Sequence, residues 1–352
     1  VTGMRSVITA WSAISPFGLG ADAFRAGLRA GVPAPAEAAP AAPARLVPEF
    51  DARTVLGRKG TRSMDRVTAL AVAVVGDLAG GPGAAPPAGG PAPGLVLGTT
   101  GSVQSTMDFT RSSLDGDRPF YVDPARFPNT VMNCAAGLSA IWHGLKGPNA
   151  TVAGGRAAGL LALNYARRLQ AGGRAGTLFC GAAEEYSDAR ARLRHHGGHG
   201  PAGTVLGEGA AVWRLDPAGS AAGRDGLAEV VALEFGVFEH AEEVPATLLG
   251  CLRRALERAG ARPADIALVA PGDPAGPEQA ALTALFGRRS PARIDCTGLI
   301  GDAAAAAAAF QVLGVLVSAE DDPALAGRLA LVTAVDHDGT LGCALLRPCP
   351  AG

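Results

Sequence analysis

Three histidines stand together at His195, His196 and His199, and the i, i+4 spacing of the outer two is one that lets a helix face offer two imidazoles to a metal ion. Gly197, Gly198 and Gly200 argue against a helix there, because glycine gives up the most backbone freedom, so a solvated loop is expected. Glu184 and Glu185 are neighbouring carboxylates, but adjacent side chains diverge and do not form an acid/base pair. Six cysteines, Cys134, Cys180, Cys251, Cys296, Cys343 and Cys349, are widely spaced with no CxxC pair. Neither a zinc site nor a disulfide framework is expected, and a reducing cytoplasm fits. Met107, Thr110, Arg111 and Leu114 fall at i, i+3, i+4 and i+7 and share one face of a helix expected over 102–114. An apolar stripe of this kind is ordinarily core. Asp108 and Asp115 belong to the same segment, and their plain reading is a solvated helix face.

Charge narrows the function classes. With 31 basic residues against 32 acidic ones, no net field draws in nucleic acid or an anionic membrane. Apolar residues at 48% and charged residues at 18% describe a globular chain with mostly covered helices, and 352 residues suffice for one large core or two intimate halves. The first twenty residues lack the pattern of a signal peptide, and no apolar run is expected to span a bilayer, 303–309 being merely alanine-rich.

The elements that must hold any site alternate. Strands are expected at 5–13, 95–98, 150–152, 177–181 and 209–215, with helices at 21–30, 63–78 and 157–170. Ser63 is the expected N-cap of the second helix, with Asp65 in its first turn. Residues 31–48 and 80–94 are Pro- and Gly-rich loops. The stretch 217–225, rich in Gly and Ala, marks the internal boundary, dividing 1–216 from 226–352. Beyond it come strands at 227–236 and 266–270, helices at 245–259, 278–286 and 302–318, and a closing strand pair at 328–335 and 342–346. The layering is α/β.

Seven short motifs, in order, resemble the ketosynthases of the thiolase superfamily. They are Ser15-Pro16-Phe17-Gly18-Leu19-Gly20, Met64-Asp65-Arg66, Gly98-Thr99-Thr100-Gly101, Phe127-Pro128-Asn129-Thr130-Val131, the run from Gly144-Leu145-Lys146-Gly147-Pro148-Asn149 to Thr151-Val152, Gly181-Ala182-Ala183-Glu184-Glu185, and Gly207-Glu208-Gly209-Ala210-Ala211. The resemblance implies a thiolase-like five-layered αβαβα fold of two similar halves. Family ketosynthases attack an acyl thioester with a cysteine at the sharp turn after the "TV" strand, where backbone donors await the oxyanion, and two histidines polarise the malonyl group. The matching positions here are Arg156 for the cysteine, and Pro271 and Asp302 for the histidines, with Thr297 in place of a lysine. A guanidinium stays protonated and proline has no proton to exchange.

Loss of all three with the scaffold kept resembles the chain-length factors of type II polyketide synthases, although these commonly carry glutamine where Arg156 stands. The resemblance then implies a heterodimer with an active ketosynthase and elongation on the partner's cysteine. It also implies delivery by an acyl carrier protein, mainly through that partner, and a growing polyketide chain in a shared tunnel, with no metal or cofactor. It makes Met107, Thr110 and Leu114 tunnel-gating candidates, with core packing as their alternative, and brings Asp108 and Asp115 near the tunnel. Cys134 would reach across toward the partner's pocket or be a small buried thiol. The matched positions predict an ion pair between Arg156 and Asp302. The short, divergent chain favours a reducing, polyene-type pathway over an aromatic one. Rival readings are a carrier-protein acyltransferase using Cys134 or Cys180, and a binding or regulatory homodimer.

Overall fold

Strands that are covered along nearly their whole length, with β-branched and apolar residues on both faces, belong inside a layered sheet. The computed structural model describes residues 5–39, 41–80, 91–114, 118–198, 204–220, 226–273 and 276–350. Its main strands are β1 (Ser6–Ser15), β2 (Gly94–Gly98), β3 (Asn149–Val152), β4 (Leu178–Glu184), β5 (Gly209–Pro217), β6 (Ala228–Val237), β7 (Ile266–Ala270), β8 (Ala292–Arg293), β9 (Leu329–Val335) and β10 (Thr340–Pro348). They run β8-β7-β9-β10-β6-β1-β5-β4-β2-β3 in one mixed sheet, with the short strand Gly18–Leu19 beside β1. The junction is an antiparallel contact between β1 and β6, Ser6 opposite Val230 and Ile8 opposite Ala228. Outward from it the same succession of pairings occurs on either side, two antiparallel and then two parallel. Among the described residues, β3 has a neighbour on one edge only.

The principal helices are α1 (Gly20–Ala30), α2 (Arg66–Ala79), α3 (Val103–Leu114), α4 (Cys134–His143), α5 (Ala158–Ala171), α6 (Asp188–His196), α7 (Val244–Ala259), α8 (Glu278–Phe286) and α9 (Ala307–Asp321). Helix α2 covers β1, β4 and β5 and packs on α4, whereas α7 covers β6 and β10 and packs on α8. Helices α5 and α9 pack on each other, α5 against β2 and β4, α9 against β7 and β9. Small residues permit that approach: a Cβ on Gly159 would lie 2.8 Å from the Ala309 nitrogen. Phe310, Val312, Leu313, Val315 and Leu316 of α9 are fully covered, each contributing roughly 1.5–3 kcal/mol of burial. The stretch Ala304–Asp321 is long and apolar enough to cross a membrane, contrary to expectation, yet 72% of it is buried inside the fold, as befits a core helix.

Three local expectations are corrected. Helix α2 is capped by Asp65, whose carboxylate accepts the Thr68 N–H at 2.9 Å, and not by Ser63. Ser63 lies two residues too early, and its carbonyl accepts the Asn129 amide. The helix expected from 302 is a single 3-10 turn, Ala304–Ala306, followed by α9. Asp302 lies outside it, since its backbone bridges to Leu206 and its carboxylate caps the Ala304 N–H. Finally, His195 and His196 end α6, which is anchored by its Ser187 cap and stopped, not prevented, at Gly197. His199 lies outside the described residues, among which no cluster of three metal-ligating side chains occurs.

Candidate functional site

Between β3 and α5 the chain turns sharply through Gly154 and Gly155, the latter at φ +48°, a conformation open to glycine and costly for other residues. Arg156 follows in the single 3-10 turn Gly155–Ala157, and its side chain is buried. Its Nη2 donates to Asp302 Oδ2 at 2.5 Å, so the predicted ion pair is present. Asp302 is 1% exposed and receives a second guanidinium, that of Arg194, on the same oxygen. Arg190, one helical turn before Arg194, donates to the Asp302 carbonyl at 2.9 Å and to the carbonyls of Glu185 and Gly207. Two further carboxylates face Arg156: Asp273 at 4.0 Å from Nη1, and Asp336, whose Oδ1 accepts the Arg156 backbone N–H at 2.9 Å.

Burial alone would raise the pKa of Asp302, but the charges of Arg156 and Arg194 outweigh it and hold the carboxyl below the usual range. Burial likewise disfavours charge on Arg156, and Asp302 more than compensates, so the guanidinium stays protonated. The arrangement is an ionised Arg–Asp–Arg cluster in a dry place. It can store charge and fix loops, and it presents no nucleophile.

The model of the beta-ketoacyl synthase N-terminal domain matches residues 5–220. The chain belongs to the ketosynthase family. A solved structure, that of the ishigamide ketosynthase/chain length factor, is 42% identical and covers 98% of this ketosynthase-family chain and 99% of its own, with a TM-score of 0.90. A beta-ketoacyl synthase from Burkholderia phymatum STM815 is 21% identical over 98% of this chain and 99% of that one, with a TM-score of 0.82. A type II PKS acyl-carrier protein in complex with its ketosynthase bound to the hexaketide gives 17% identity over 99% and 100%, with a TM-score of 0.77. The last two carry the fold alone. No curated protein matches the chain.

Of the residues that sequence singled out, Arg156 and Asp302 meet, and Pro271 follows the last residue of β7 and precedes Gly272, whose carbonyl accepts the Thr297 hydroxyl at 2.9 Å. Met107 and Leu114 are 45% and 64% exposed, and Thr110, Arg111 and Asp108 are exposed as well. The stripe is therefore not core packing within this chain. Asp108 accepts the Gln104 amide at 2.9 Å and lines a polar cavity of about 210 Å³ with Asp65, Arg62 and Arg126. Asp115 lies outside the described residues. Cys134 is half-buried at the start of α4, its Sγ 3.6 Å from Asn129 Oδ1.

Burial pushes the Cys134 thiol up, and the Cys180 thiol further, whereas a nucleophilic cysteine needs the opposite shift. Glu184 and Glu185 diverge as expected. Glu184 accepts the Thr100 hydroxyl at 2.7 Å and Glu185 that of Ser102 at 2.7 Å.

Sequence reasoning passed over Arg190, Arg194 and Asp336. The i, i+4 spacing of the two arginines was a usable signal once α6 is granted as a helix. Glu278 opens α8 and is buried. Burial raises its pKa to about 8 from an ordinary 4.5, and it accepts the Asp273 N–H at 2.7 Å. The folded protein thus keeps the proton longer than the unfolded chain does, and this contribution to stability is lost as pH rises from about 4.5 through about 8. Glu278→Gln is expected to abolish that part of the pH slope, read as denaturation midpoints from pH 5 to pH 8.5; an unchanged slope would assign it to other groups.

Proposed function

We propose that this chain is the non-catalytic, chain-length-factor subunit of a type II polyketide synthase, pairing with an active ketosynthase. The observation that carries the reading is the Arg156–Asp302 ion pair, which occupies the two positions matched to the family's cysteine and one of its histidines. Neither side chain can attack a thioester or polarise a malonyl carbonyl as a neutral donor. The fold is read as five layers built from two related halves, 1–216 and 226–352, on the strength of the repeated strand succession and of α5 and α9 packed face to face.

An uncovered apolar face supports the partner. Met107 and Leu114 of α3, Phe127, Val131 and Met132 of the following turn, and Ile141 of α4 are all exposed. Phe127 stacks edge-on against Phe109, and Met132 lies against Gly101, so the turn is continuous with α3. Exposed large apolar side chains in such number mark an interaction surface. The occupant is the active ketosynthase, in keeping with the ishigamide relative being a ketosynthase/chain length factor, and Met107, Thr110, Leu114 and Cys134 are read as lining a tunnel shared with it. An acyl carrier protein would engage mainly through the partner, and the product is assigned to a reducing, polyene-type pathway.

Two measurements test the reading. Co-expression with an active type II ketosynthase from the same source is expected to yield a one-to-one complex by light scattering, and a stable homodimer instead would favour a regulatory protein. Incubation of the chain with acyl thioesters is expected to leave its intact mass unchanged. A covalent acyl adduct on this chain alone would sink the proposal in favour of an acyltransferase.

A further inference from the structure

A Cβ on Gly155 would fall 2.0–2.1 Å from the three atoms of the Asp336 carboxyl group, so the space beside the turn is filled by that carboxylate. Asp336 is itself well held. Its N–H donates to the Thr340 carbonyl at 2.8 Å, its Oδ2 accepts the Asp338 N–H at 3.2 Å, and its Oδ1 accepts the Arg156 N–H at 2.9 Å. In acyl-transfer sites the backbone N–H of the nucleophilic residue itself serves as a donor to the tetrahedral oxyanion. At the corresponding turn here, that donor already has a negative oxygen within hydrogen-bond distance.

We infer that Asp336 is a built-in occupant of the oxyanion-holding donor at this turn, a block on acyl transfer that is separate from the replacement at position 156. The inference rests on the silent-subunit reading and deepens it. The side chain at 156 and the donor at 156 are disabled by different residues, on different elements, and for different reasons. Arg156 removes the nucleophile, whereas Asp336 spends the hydrogen bond and places a fixed charge where negative charge would develop. Restoring a thiol alone therefore leaves the site inert.

The test compares Arg156→Cys with Arg156→Cys/Asp336→Ala and Arg156→Cys/Asp336→Asn, in the complex with a partner whose own cysteine is replaced by alanine. Two reactions are followed by intact mass. Alkylation by iodoacetamide requires only a thiolate, which displaces iodide. Acylation by a butyryl-N-acetylcysteamine thioester requires the thiolate to attack the carbonyl carbon, the oxyanion to be held, and the N-acetylcysteamine thiolate to leave as the new thioester forms. Asp336 lies at the backbone of residue 156, and Asp302, paired with Arg194, and Asp273 lie at the far end of its native side chain near His337, so removing one negative charge favours the thiolate of an introduced cysteine.

Asp336→Asn keeps an oxygen on the donor but no charge, and is expected to raise alkylation with little gain in acylation. Asp336→Ala frees the donor and is expected to raise acylation by at least about 10-fold, a fraction of the roughly 100- to 1000-fold that a single well-placed oxyanion donor supplies. Equal acylation of the single variant and the alanine double variant overturns the inference. Should the thiol variants fail to fold, Asp336→Ala alone suffices. Amide hydrogen exchange at Arg156 is then expected to quicken at least about 10-fold, and unchanged exchange overturns the proposal. Self-acylation of the native chain would instead refute the silent-subunit reading and leave these comparisons untouched.

Discussion

Asp302→Ala is expected to destabilise the protein by about 3–5 kcal/mol, the loss typical when one member of a buried ion pair is removed. The reason is the geometry of what remains. Arg156 and Arg194 both donate to one carboxylate oxygen, and with it gone two guanidinium groups repel each other in a place that excludes water. Asp273 at 4.0 Å is too distant and too exposed to take over. For a chain of this length the loss amounts to a fall of roughly 5 °C in the unfolding midpoint. Replacing the cluster together, as Arg156→Met/Arg194→Met/Asp302→Leu, is expected to cost far less, because no orphan charge remains. Calorimetry on the three proteins checks both statements, and equal losses for the single and triple variants would mean that the charges are not what matters.

Met132→Asp is expected to abolish co-purification with the ketosynthase partner. A carboxylate within the proposed apolar interface must be desolvated without a partner, and truncation of a hot-spot residue alone costs about 2 kcal/mol or more. Met132 is 47% exposed in this chain and sits against Gly101 at the head of α3, so the substitution disturbs no core packing. Retained solubility and an unchanged unfolding midpoint with loss of the complex separate an interface effect from misfolding. A complex that survives the substitution would relocate the interface.

Much of the architecture was legible from punctuation and periodicity. Strand β7 and helix α8 begin and end where their patterns predict, because Pro and Gly flank both. Errors gathered where tertiary partners decide. Asp302 was drawn into a helix because it precedes seven alanines, but two arginines and a bridge to Leu206 hold it outside. Helix α6 was missed because the glycines that follow it look like breakers, whereas they only end it, and its inward arginines draw their partners from residues far away in sequence. The pair Arg156 and Asp302, by contrast, could be paired from matched positions alone, 146 residues apart. Asp336 could not: nothing in the run Asp336-His337-Asp338 reveals that its carboxylate fills the gap left by a glycine 181 positions earlier.

Among the described residues β3 is paired along one edge only. Residues Asn149–Val152 offer a row of backbone donors and acceptors to whatever strand arrives first, and they do so beside an apolar face. A copy without the proposed partner would present this edge and that face together. On the proposed pairing with a ketosynthase, the amount of this chain made in a cell is expected to matter as much as its sequence, because only the paired copy has this region covered.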